Sequence, residues 1–412
     1  MSIAPRRPLV LVLLALVAIV AYLPALRQPF IEDDYPNLAL AAHFSEESHW
    51  SDLPSSAPFR LRATSEFLMA GLYLVFDVHA APFYAAGILL HVLNTWLVFA
   101  LGAWRRIGFG VSAWAALFFA AAEGHQEAVM WISAASELLL FFFGAGALLA
   151  WILFLQTSRY KWLLAAIAAF ALALVSKESA PVLLALMLLP LLDYRDKWRW
   201  LLPFAALAVA AVCSVFFTAD DSFRLRDGSF SLRAPFWITL PRSFAAEFWI
   251  WGWLAAAALA FWRKREMLWI GSLWTALALA PYSFLTYSTR IPSRQTYLAS
   301  AGAALVVGAA LYALAHKQRL LAPAAAAILV LENAGYLWTR KHSQYMKRAE
   351  PTEQLIALSR STSRPIYVKC FPRPRIVAEQ AVWLMTSRPP GELIWDGREA
   401  SPTTPVFCYR ER

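Results

Sequence analysis

The chain has 412 residues, of which 60% are hydrophobic and only 16% are charged. A water-soluble domain could not bury that much apolar surface without exposing large apolar patches, so the composition excludes this class. The formal net charge of +10 could suggest a nucleic-acid-binding protein, but the basic residues lie in short loops between apolar runs, which argues against nucleic acid as a partner. We therefore predict an all-α polytopic membrane protein.

The first apolar run, residues 8–26, has about the ~20 residues that a helix needs to cross ~30 Å of hydrocarbon. Many similar runs follow, which argues against a cleaved signal peptide even though Arg6 and Arg7 precede the first run. Hydropathy predicts about eleven membrane-spanning helices, at residues 8–26, 83–104, 111–123, 137–155, 160–176, 179–193, 198–218, 236–262, 267–286, 296–315 and 320–338.

Basic residues recur in every second loop between these spans. Under the positive-inside rule such loops face the cytoplasm, so we predict a cytoplasmic N-terminus, an extracytoplasmic C-terminus and a bacterial-type inner (plasma) membrane. Acidic and hydroxyl-rich segments, including residues 27–82, 123–137 and 218–235, then lie on the outer side. The basic residues are Arg6, Arg7, Arg105, Arg106, Arg159, Lys161, Arg195, Lys197, Arg199, Arg263, Lys264, Arg265, Lys317 and Arg319.

Two outer segments are not predicted to cross the membrane. Residues 63–79 are too short and too interrupted for a span, and we predict an amphipathic helix lying in the outer interface. Residues 340–412 are predicted to form a small extracytoplasmic α/β cap with a strand in "RPIYVKCF", separate from a transmembrane domain of residues 1–339. Cys370 and Cys408 both lie in this tail, where a disulfide and two free thiols are equally compatible with the sequence.

Three consecutive acids, Glu32, Asp33 and Asp34, follow the first span. Clustered carboxylates near lipid repel one another, so at least one is expected to bind a proton more readily than a free Asp unless a cation compensates. Such a group suits a general base that takes a proton from an acceptor hydroxyl. Two alternatives remain open: a divalent-cation site, and a helix start in which Asp33 or Asp34 caps "YPNLALAAHF".

A lipid-linked sugar donor would present a phosphate at the same face. Arg62, Lys177, Arg290 and Arg294 all lie at outer ends of spans, and Arg and Lys are suitable phosphate ligands. The sequence contains no Walker loop, no Gly-rich dinucleotide fingerprint and no Cys/His metal spacing, so ATP-driven transport and redox chemistry lack sequence support. His91 and Asn94, inside the second span, are interpreted as inter-helix hydrogen-bonding groups or as part of a site.

Five blocks in order, over about residues 30–305, resemble the C-type (GT-C) glycosyltransferase superfamily, including protein O-mannosyltransferases and the tetratricopeptide-linked transmembrane O-mannosyltransferases. "FIEDDYPNL" resembles the first-loop F-x-x-D-D element. The other blocks are "RATSEFLMAGLYLVFDVHAAPFYAAGILLHVLNTWLVF", "AALFFAAAEGHQEAVMWISAASELL", "ALVSKESAPVLLALMLL" and "SRQTYLASAG".

The resemblance implies a mannosyltransferase-like hexosyltransferase that uses a dolichyl- or undecaprenyl-phosphate sugar and inverts the anomeric carbon on the outer face. It implies Asp33 as the base, with Asp34 or Glu32 orienting the acceptor or a metal ion. It further implies that His125 and Glu127 line the second outer loop, and that donor phosphate is bound by Lys177, Arg294 and Arg62. A divalent cation is optional in this mechanism, and the sequence does not decide it.

The chain departs from the family pattern at several positions. Ala134 and Ala135 stand where the pattern has Gly-Arg, which removes a cation that could serve the donor phosphate. Gly124-His125 replaces His-Pro, and the tail is too short for three tetratricopeptide units of ~34 residues. An inactive GT-C-like scaffold therefore stays open as an alternative, as does a transporter or flippase whose outer acids bind a cation, although no internal repeat is visible.

Overall fold

The computed structural model describes residues 7–217 and 228–410. Arg6 and residues 218–227 of the predicted outer loop lie outside the described residues. The helices are α1 (Arg7–Tyr22), α2 (Asp34–Ser45), α3 (Ala57–Phe76), α4 (Ala80–Ala100), α5 (Gly108–Ala121), α6 (Gln126–Val129), α7 (Ala135–Thr157), α8 (Tyr160–Leu174), α9 (Leu183–Leu191), α10 (Leu202–Phe217), α11 (Phe236–Phe261), α12 (Arg265–Leu279), α13 (Tyr297–Lys317), α14 (Leu321–Tyr336), α15 (His342–Ser361) and α16 (Arg375–Thr386).

The prediction of an all-α polytopic membrane protein is confirmed. In the described part of the chain, eight helical stretches are long and apolar enough to cross a membrane, and three shorter apolar helices accompany them, at Gly108–Ala121, Tyr160–Leu174 and Ala180–Leu191. Each of the predicted spans coincides with one of these stretches. The number of eleven crossings and the orientation of the termini stay predictions.

Helix α13 lies at the centre of the bundle, and its residues 297–311 are all buried. Its small residues allow close contact with neighbouring helices. A Cβ atom at Gly302 would overlap the backbone of Gly271 in α12, and one at Gly308 would overlap the backbone of Ala115 in α5. Small residues at such crossings let two helix backbones approach closely, which is how helices gain packing contacts in a membrane.

Helix α3 contains residues 63–76 of the segment 63–79 that was predicted to lie in the outer interface, and it ends three residues before the predicted end. It begins six residues before the predicted start, because the Ser56 side chain caps it by accepting a hydrogen bond from the Phe59 amide at 3.4 Å. Arg62 interrupts its helical geometry, with φ −143° and ψ 35°, and the Thr64 amide bonds instead to the Val175 carbonyl at 3.4 Å. The helix is therefore attached to the C-terminal end of α8, and its placement in the interface stays a prediction.

The C-terminal tail forms the predicted α/β cap. Strands β1 (Ile366–Cys370), β2 (Leu393–Ile394) and β3 (Val406–Cys408) pair in parallel in the order β2-β1-β3, and Cys370 and Cys408 form a disulfide between β1 and β3. A π-helical turn at Leu337–Lys341 joins α14 to α15. The predicted boundary at residue 339 falls inside this continuous helical stretch, and the division into two domains stays a prediction.

Candidate functional site

The three acids Glu32, Asp33 and Asp34, called here the acidic corner, lie where the chain passes from α1 to α2. Asp34 is fully buried, and its Oδ2 accepts a hydrogen bond from the Ile31 amide at 2.9 Å. Its Oδ1 accepts from the Ser133 amide at 2.9 Å and from the Ser133 hydroxyl at 2.6 Å. Burial raises the pKa of Asp34 to about 7, and the hydrogen bonds from Ser133 and Ile31 oppose this shift. Asp34 thus connects the first outer loop to the second rather than facing an opening.

Asp33 is exposed, and in the part of the chain that the structure describes its carboxylate accepts no hydrogen bond. The predicted helix start is present, with Asp33 at the N-cap position of α2, but its side chain does not cap the helix. Partial burial and the neighbouring Glu32 raise the pKa of Asp33, whereas Arg294, Arg348 and Arg373 act to lower it. Asp33 therefore combines an accessible carboxylate with cations from three distant segments.

Glu32 is held by two of these arginines. Nε and Nη2 of Arg348 donate to the two Glu32 oxygens at 3.1 and 2.6 Å, and Nη2 of Arg373 lies 2.8 Å from Oε1. Glu32 has φ 45°, a left-handed conformation that residues other than glycine rarely adopt. The ion pairs, both from the C-terminal tail, hold this turn in place directly before Asp33.

The Trp131 ring contacts two guanidinium groups. Arg294 is 4.6 Å and Arg348 4.5 Å from the ring centroid, distances at which a cation is attracted to an aromatic ring. The Arg294 amide donates to Glu127 Oε2 at 3.1 Å, while its guanidinium has no hydrogen-bond partner among residues 7–217 and 228–410. Arg294 therefore lies near Asp33, and Glu127 lies beside Arg294; their roles stay predictions.

Lys177 and Arg62 belong to a neighbouring polar cluster. Lys177 is only 3% exposed, and its Nζ lies 3.1 Å from Glu137 Oε1 and donates to Ser136 Oγ at 3.2 Å. Arg62 pairs with Glu178, with Nη2 donating to Oε1 at 3.0 Å. Both predicted phosphate ligands are thus engaged by carboxylates, and Ser136 lies only three residues beyond the Ser133 that binds Asp34.

We call residues 123–137 the second outer connection. This segment contacts both clusters, through Ser133 in one and through Ser136 and Glu137 in the other. At its start, His125 lies inside the protein, with Nε2 2.7 Å from the Ser300 hydroxyl, and burial holds the pKa of His125 well below its usual value. Gln126 donates to the Ser293 hydroxyl at 2.8 Å and accepts from the Tyr345 hydroxyl at 2.6 Å. His125 is therefore separated from the exposed carboxylate of Asp33.

Two cavities open near the ends of this connection. One, of about 300 Å³, lies between α3, α8 and α10 and is called here the apolar groove; it is lined by Arg60, Leu61, Ala171, Leu174, Glu178 and Leu207, among others. The second, of about 670 Å³, lies between α11, α13 and α14 and is called the polar cavity; its charged residues are Glu123, Glu247, Arg290, Glu332 and Lys341.

His91 and Asn94 act as the inter-helix contacts that the sequence suggested. His91 Nδ1 is 2.7 Å from the Tyr297 hydroxyl, and Asn94 donates to the Leu138 carbonyl at 3.0 Å. Within the described ranges, no group of three or more His, Cys, Asp or Glu side chains is placed to hold a metal ion. A divalent cation stays a prediction.

Sequence reasoning missed Trp131, Ser133, Arg348 and Arg373. Arg348 is 316 residues from Glu32 along the chain, so no local pattern could indicate their contact. Trp131 is an interior residue of a conspicuous block, but an isolated aromatic residue at the end of a membrane span ordinarily indicates an interfacial anchor.

Solved structures of two other membrane proteins have a similar fold. ArnT from Cupriavidus metallidurans bound to undecaprenyl phosphate is 14% identical, with a TM-score of 0.55, over 92% of this chain and 84% of that chain. The archaeal oligosaccharyltransferase AglB from Archaeoglobus fulgidus, in complex with an inhibitory peptide and a dolichol-phosphate, is 12% identical, with a TM-score of 0.56. That match covers 95% of this chain but only 64% of AglB.

No protein-family model matches the sequence, and no curated protein matches it. The two structures share the polytopic all-α fold of this chain, since their likeness extends over nearly its whole length. Similarity to mannosyltransferases in particular stays a prediction.

Proposed function

We propose that the chain is an integral membrane glycosyltransferase that moves a sugar from a polyprenyl-phosphate donor to an acceptor hydroxyl on the outer face. The observation that carries the proposal is the accessible, unbonded carboxylate of Asp33 beside Arg294 and Arg348. The fold adds support, because proteins that share it are solved with undecaprenyl phosphate and dolichol-phosphate.

Asp33 acts in this proposal as the general base. Its carboxylate takes the proton of the acceptor hydroxyl while the acceptor oxygen forms a bond to the anomeric carbon. The bond from that carbon to the phosphate oxygen breaks, its electron pair leaves with the phosphate, and the anomeric configuration inverts. A raised pKa makes Asp33 a stronger base than a free Asp, and general base catalysis typically contributes about 10²- to 10⁴-fold.

Arg294 and Arg348 stabilise the departing lipid phosphate. Within the described ranges the guanidinium of Arg294 makes no hydrogen bond, so its N–H donors are available there, and it lies over the Trp131 ring. Arg348, whose Nε and Nη2 are bonded to Glu32, adds a second positive charge beside Trp131 rather than a free hydrogen-bond donor. It takes the role of the arginine that the family pattern has near Ala134-Ala135, so the missing cation does not require an inactive protein.

Lys177, Arg62, Glu32 and Asp34 support the reacting groups in this proposal. A direct contact between Lys177 and phosphate would leave Glu137 buried without its cation, which is costly. Lys177 therefore acts as a positioning residue that fixes the start of α7. Glu32 and Asp34 fix the turn on either side of Asp33, and the apolar groove next to Glu178 accommodates the prenyl chain.

The test is transfer of radiolabelled sugar from polyprenyl-phosphate donors in membranes that contain the Asp33→Asn protein. We expect a loss of at least about 100-fold, because the amide cannot accept the proton. Asp52→Asn is a matched control, since Asp52 is an exposed carboxylate of the same outer segment that pairs with His43 at 3.5 Å.

Unchanged transfer by Asp33→Asn would remove Asp33 as the base. Absence of transfer by the parent protein with every common donor would instead favour the scaffold or transporter alternatives.

A further inference from the structure

Hydrogen bonds connect the segments that line the polar cavity. Glu332 Oε2 accepts hydrogen bonds from Trp251 Nε1 at 3.1 Å and from Asn333 Nδ2 at 3.2 Å. Asn333 Oδ1 in turn accepts from the Glu123 amide at 2.9 Å. These bonds join α11, α14 and the start of the second outer connection around one space of about 670 Å³, which falls within the size range of ligand sites.

Helix α11 bends at the cavity. Trp249 interrupts the helix with φ 42°, a conformation that is costly for a bulky side chain. The cavity is lined by Ala246 and Glu247 before the bend, Trp249 at the bend and Trp251 after it. Trp249 is also 54% exposed, so the bend places an aromatic side chain at the opening.

The side chains that line the polar cavity favour some classes of ligand over others. Three acidic side chains, Glu123, Glu247 and Glu332, outnumber the cations Arg290 and Lys341, so the lining lacks the excess of cations that a phosphate or another anion needs. A prenyl chain would bury these charged groups without polar partners, at high cost. Carboxylate, amide and hydroxyl groups next to aromatic side chains instead match a ligand rich in hydroxyls.

Two chain segments that line the cavity also carry groups near Asp33. Gln126 and Ser293 line the cavity and bond to each other, while the next residues in the chain, Glu127 and Arg294, face the acidic corner. Neighbouring Cα atoms are only ~3.8 Å apart, so the cavity and the groups around Asp33 share the same two chain segments.

From these contacts we infer that the polar cavity binds the saccharide part of the acceptor, as an uncharged or amine-bearing sugar, on the side of the second outer connection away from the apolar groove. The assignment of this sugar as the acceptor depends on the proposed function, whereas saccharide binding itself does not. The donor lipid and the acceptor sugar thus occupy separate cavities.

The test is saturation-transfer NMR on the purified full-length protein in lipid nanodiscs. The probes are methyl glucoside, glucosamine and glucuronate, and inorganic phosphate serves as a competitor. We expect the first two sugars to bind and glucuronate and phosphate not to bind. Ala246→Trp fills the cavity and should weaken binding at least about 10-fold, whereas Ala245→Trp, on the exposed neighbouring residue, should change it less than 2-fold.

Glu332→Gln keeps the shape of the side chain and its acceptor oxygen, so it tests the charge if Ala246→Trp fails to fold. We expect it to weaken glucosamine binding at least about 3-fold more than methyl glucoside binding. Binding that is unchanged in both variants, binding of glucuronate or phosphate in preference to glucosamine, or no saturation transfer from any sugar would each overturn the inference.

Asp33→Asn separates this inference from the proposed function. Asp33 does not line the cavity, so this variant should bind methyl glucoside like the parent while losing transfer. If Asp33→Asn keeps transfer, the catalytic proposal fails, and the binding measurements still test whether the polar cavity binds a sugar. If Ala246→Trp loses sugar binding but keeps full transfer to the natural membrane acceptor, the role of the cavity as the acceptor site is wrong.

Discussion

The apolar groove and the polar cavity lie at opposite ends of the second outer connection and differ in how they are built. The groove lies between helix faces of α3, α8 and α10, with Arg60 and Glu178 among mostly apolar side chains. The cavity is built from loops and helix ends that meet over long chain distances, and it concentrates charged and aromatic groups. One segment of fifteen residues thus positions two chemically different spaces relative to Asp33, which suits a reaction between a lipid-linked and a polar substrate.

Arg294→Ala should have the largest effect, because Arg294 lies near Asp33 and has a guanidinium without a hydrogen-bond partner in the described ranges. Removing one donor to a developing anion typically costs about 10²- to 10³-fold in kcat, and we expect a loss of this size in sugar transfer. Sugar binding to the polar cavity should not change. Arg242→Ala is the control, since Arg242 is an exposed arginine on the same face. Equal losses in both variants would show that the effect is not specific to the site.

Ala171→Trp tests whether the apolar groove binds the prenyl chain of the donor. Ala171 lines the groove on α8, and an indole there should displace the prenyl chain and raise KM for the lipid-linked donor about 10-fold with little change in kcat. Ala168→Trp lies one turn earlier on the exposed face and should leave KM unchanged. Steady-state kinetics with varied donor measure both. A fall in kcat with unchanged KM would separate the groove from donor binding.

The membrane architecture could be predicted because the bilayer imposes a length and a composition on each span. Every predicted span coincides with a helical stretch, and the strand in "RPIYVKCF" is β1. The ends of the interfacial segment were predicted less accurately, because the cap at Ser56 and the break at Arg62 depend on contacts with neighbouring groups. Hydropathy also gives no signal for the bend at Trp249, which opens the polar cavity.

The candidate site could be predicted only in part. Sequence reasoning selected Asp33, Arg294 and Glu127, which lie together because the spans return to the outer face in a regular order. It treated Lys177 as a free cation at a helix end, whereas Lys177 is buried against Glu137. Contacts of Glu32 with the C-terminal tail depend on how a separate α/β segment packs, which no residue near Glu32 encodes.

Asp34→Asn should change stability in a pH-dependent way. The folded-state pKa of Asp34, about 7, is above the ordinary value of 3.8, so the folded protein holds this proton more tightly than the unfolded chain. Its contribution to stability is therefore complete below about pH 4 and is lost as the pH rises through 7, at up to ~1.4 kcal/mol per pH unit. Tm of the parent should fall between pH 4 and pH 8, and the fall should be smaller in Asp34→Asn.

Asp52→Asn is the control for this pH series, because it removes an exposed carboxylate from the same loop. If Asp34→Asn and Asp52→Asn follow the same pH dependence as the parent, then Asp34 ionises freely and does not hold the turn between the two cavities.

The smallest effect on transfer is expected from replacing both Cys370 and Cys408 by serine. The disulfide closes a separation of 38 residues and should stabilise the cap by roughly 2–4 kcal/mol. Arg373 lies only three residues beyond Cys370, so a looser cap should weaken its ion pair with Glu32, but Arg348 holds Glu32 independently from α15. We therefore expect a lower Tm with a 2- to 5-fold loss of transfer at constant KM for the donor, and no change in Cys213→Ser, which replaces a free thiol in α10. A loss as large as that of Arg294→Ala would mean that the tail, rather than the bundle, determines the position of Asp33 between the groove and the cavity.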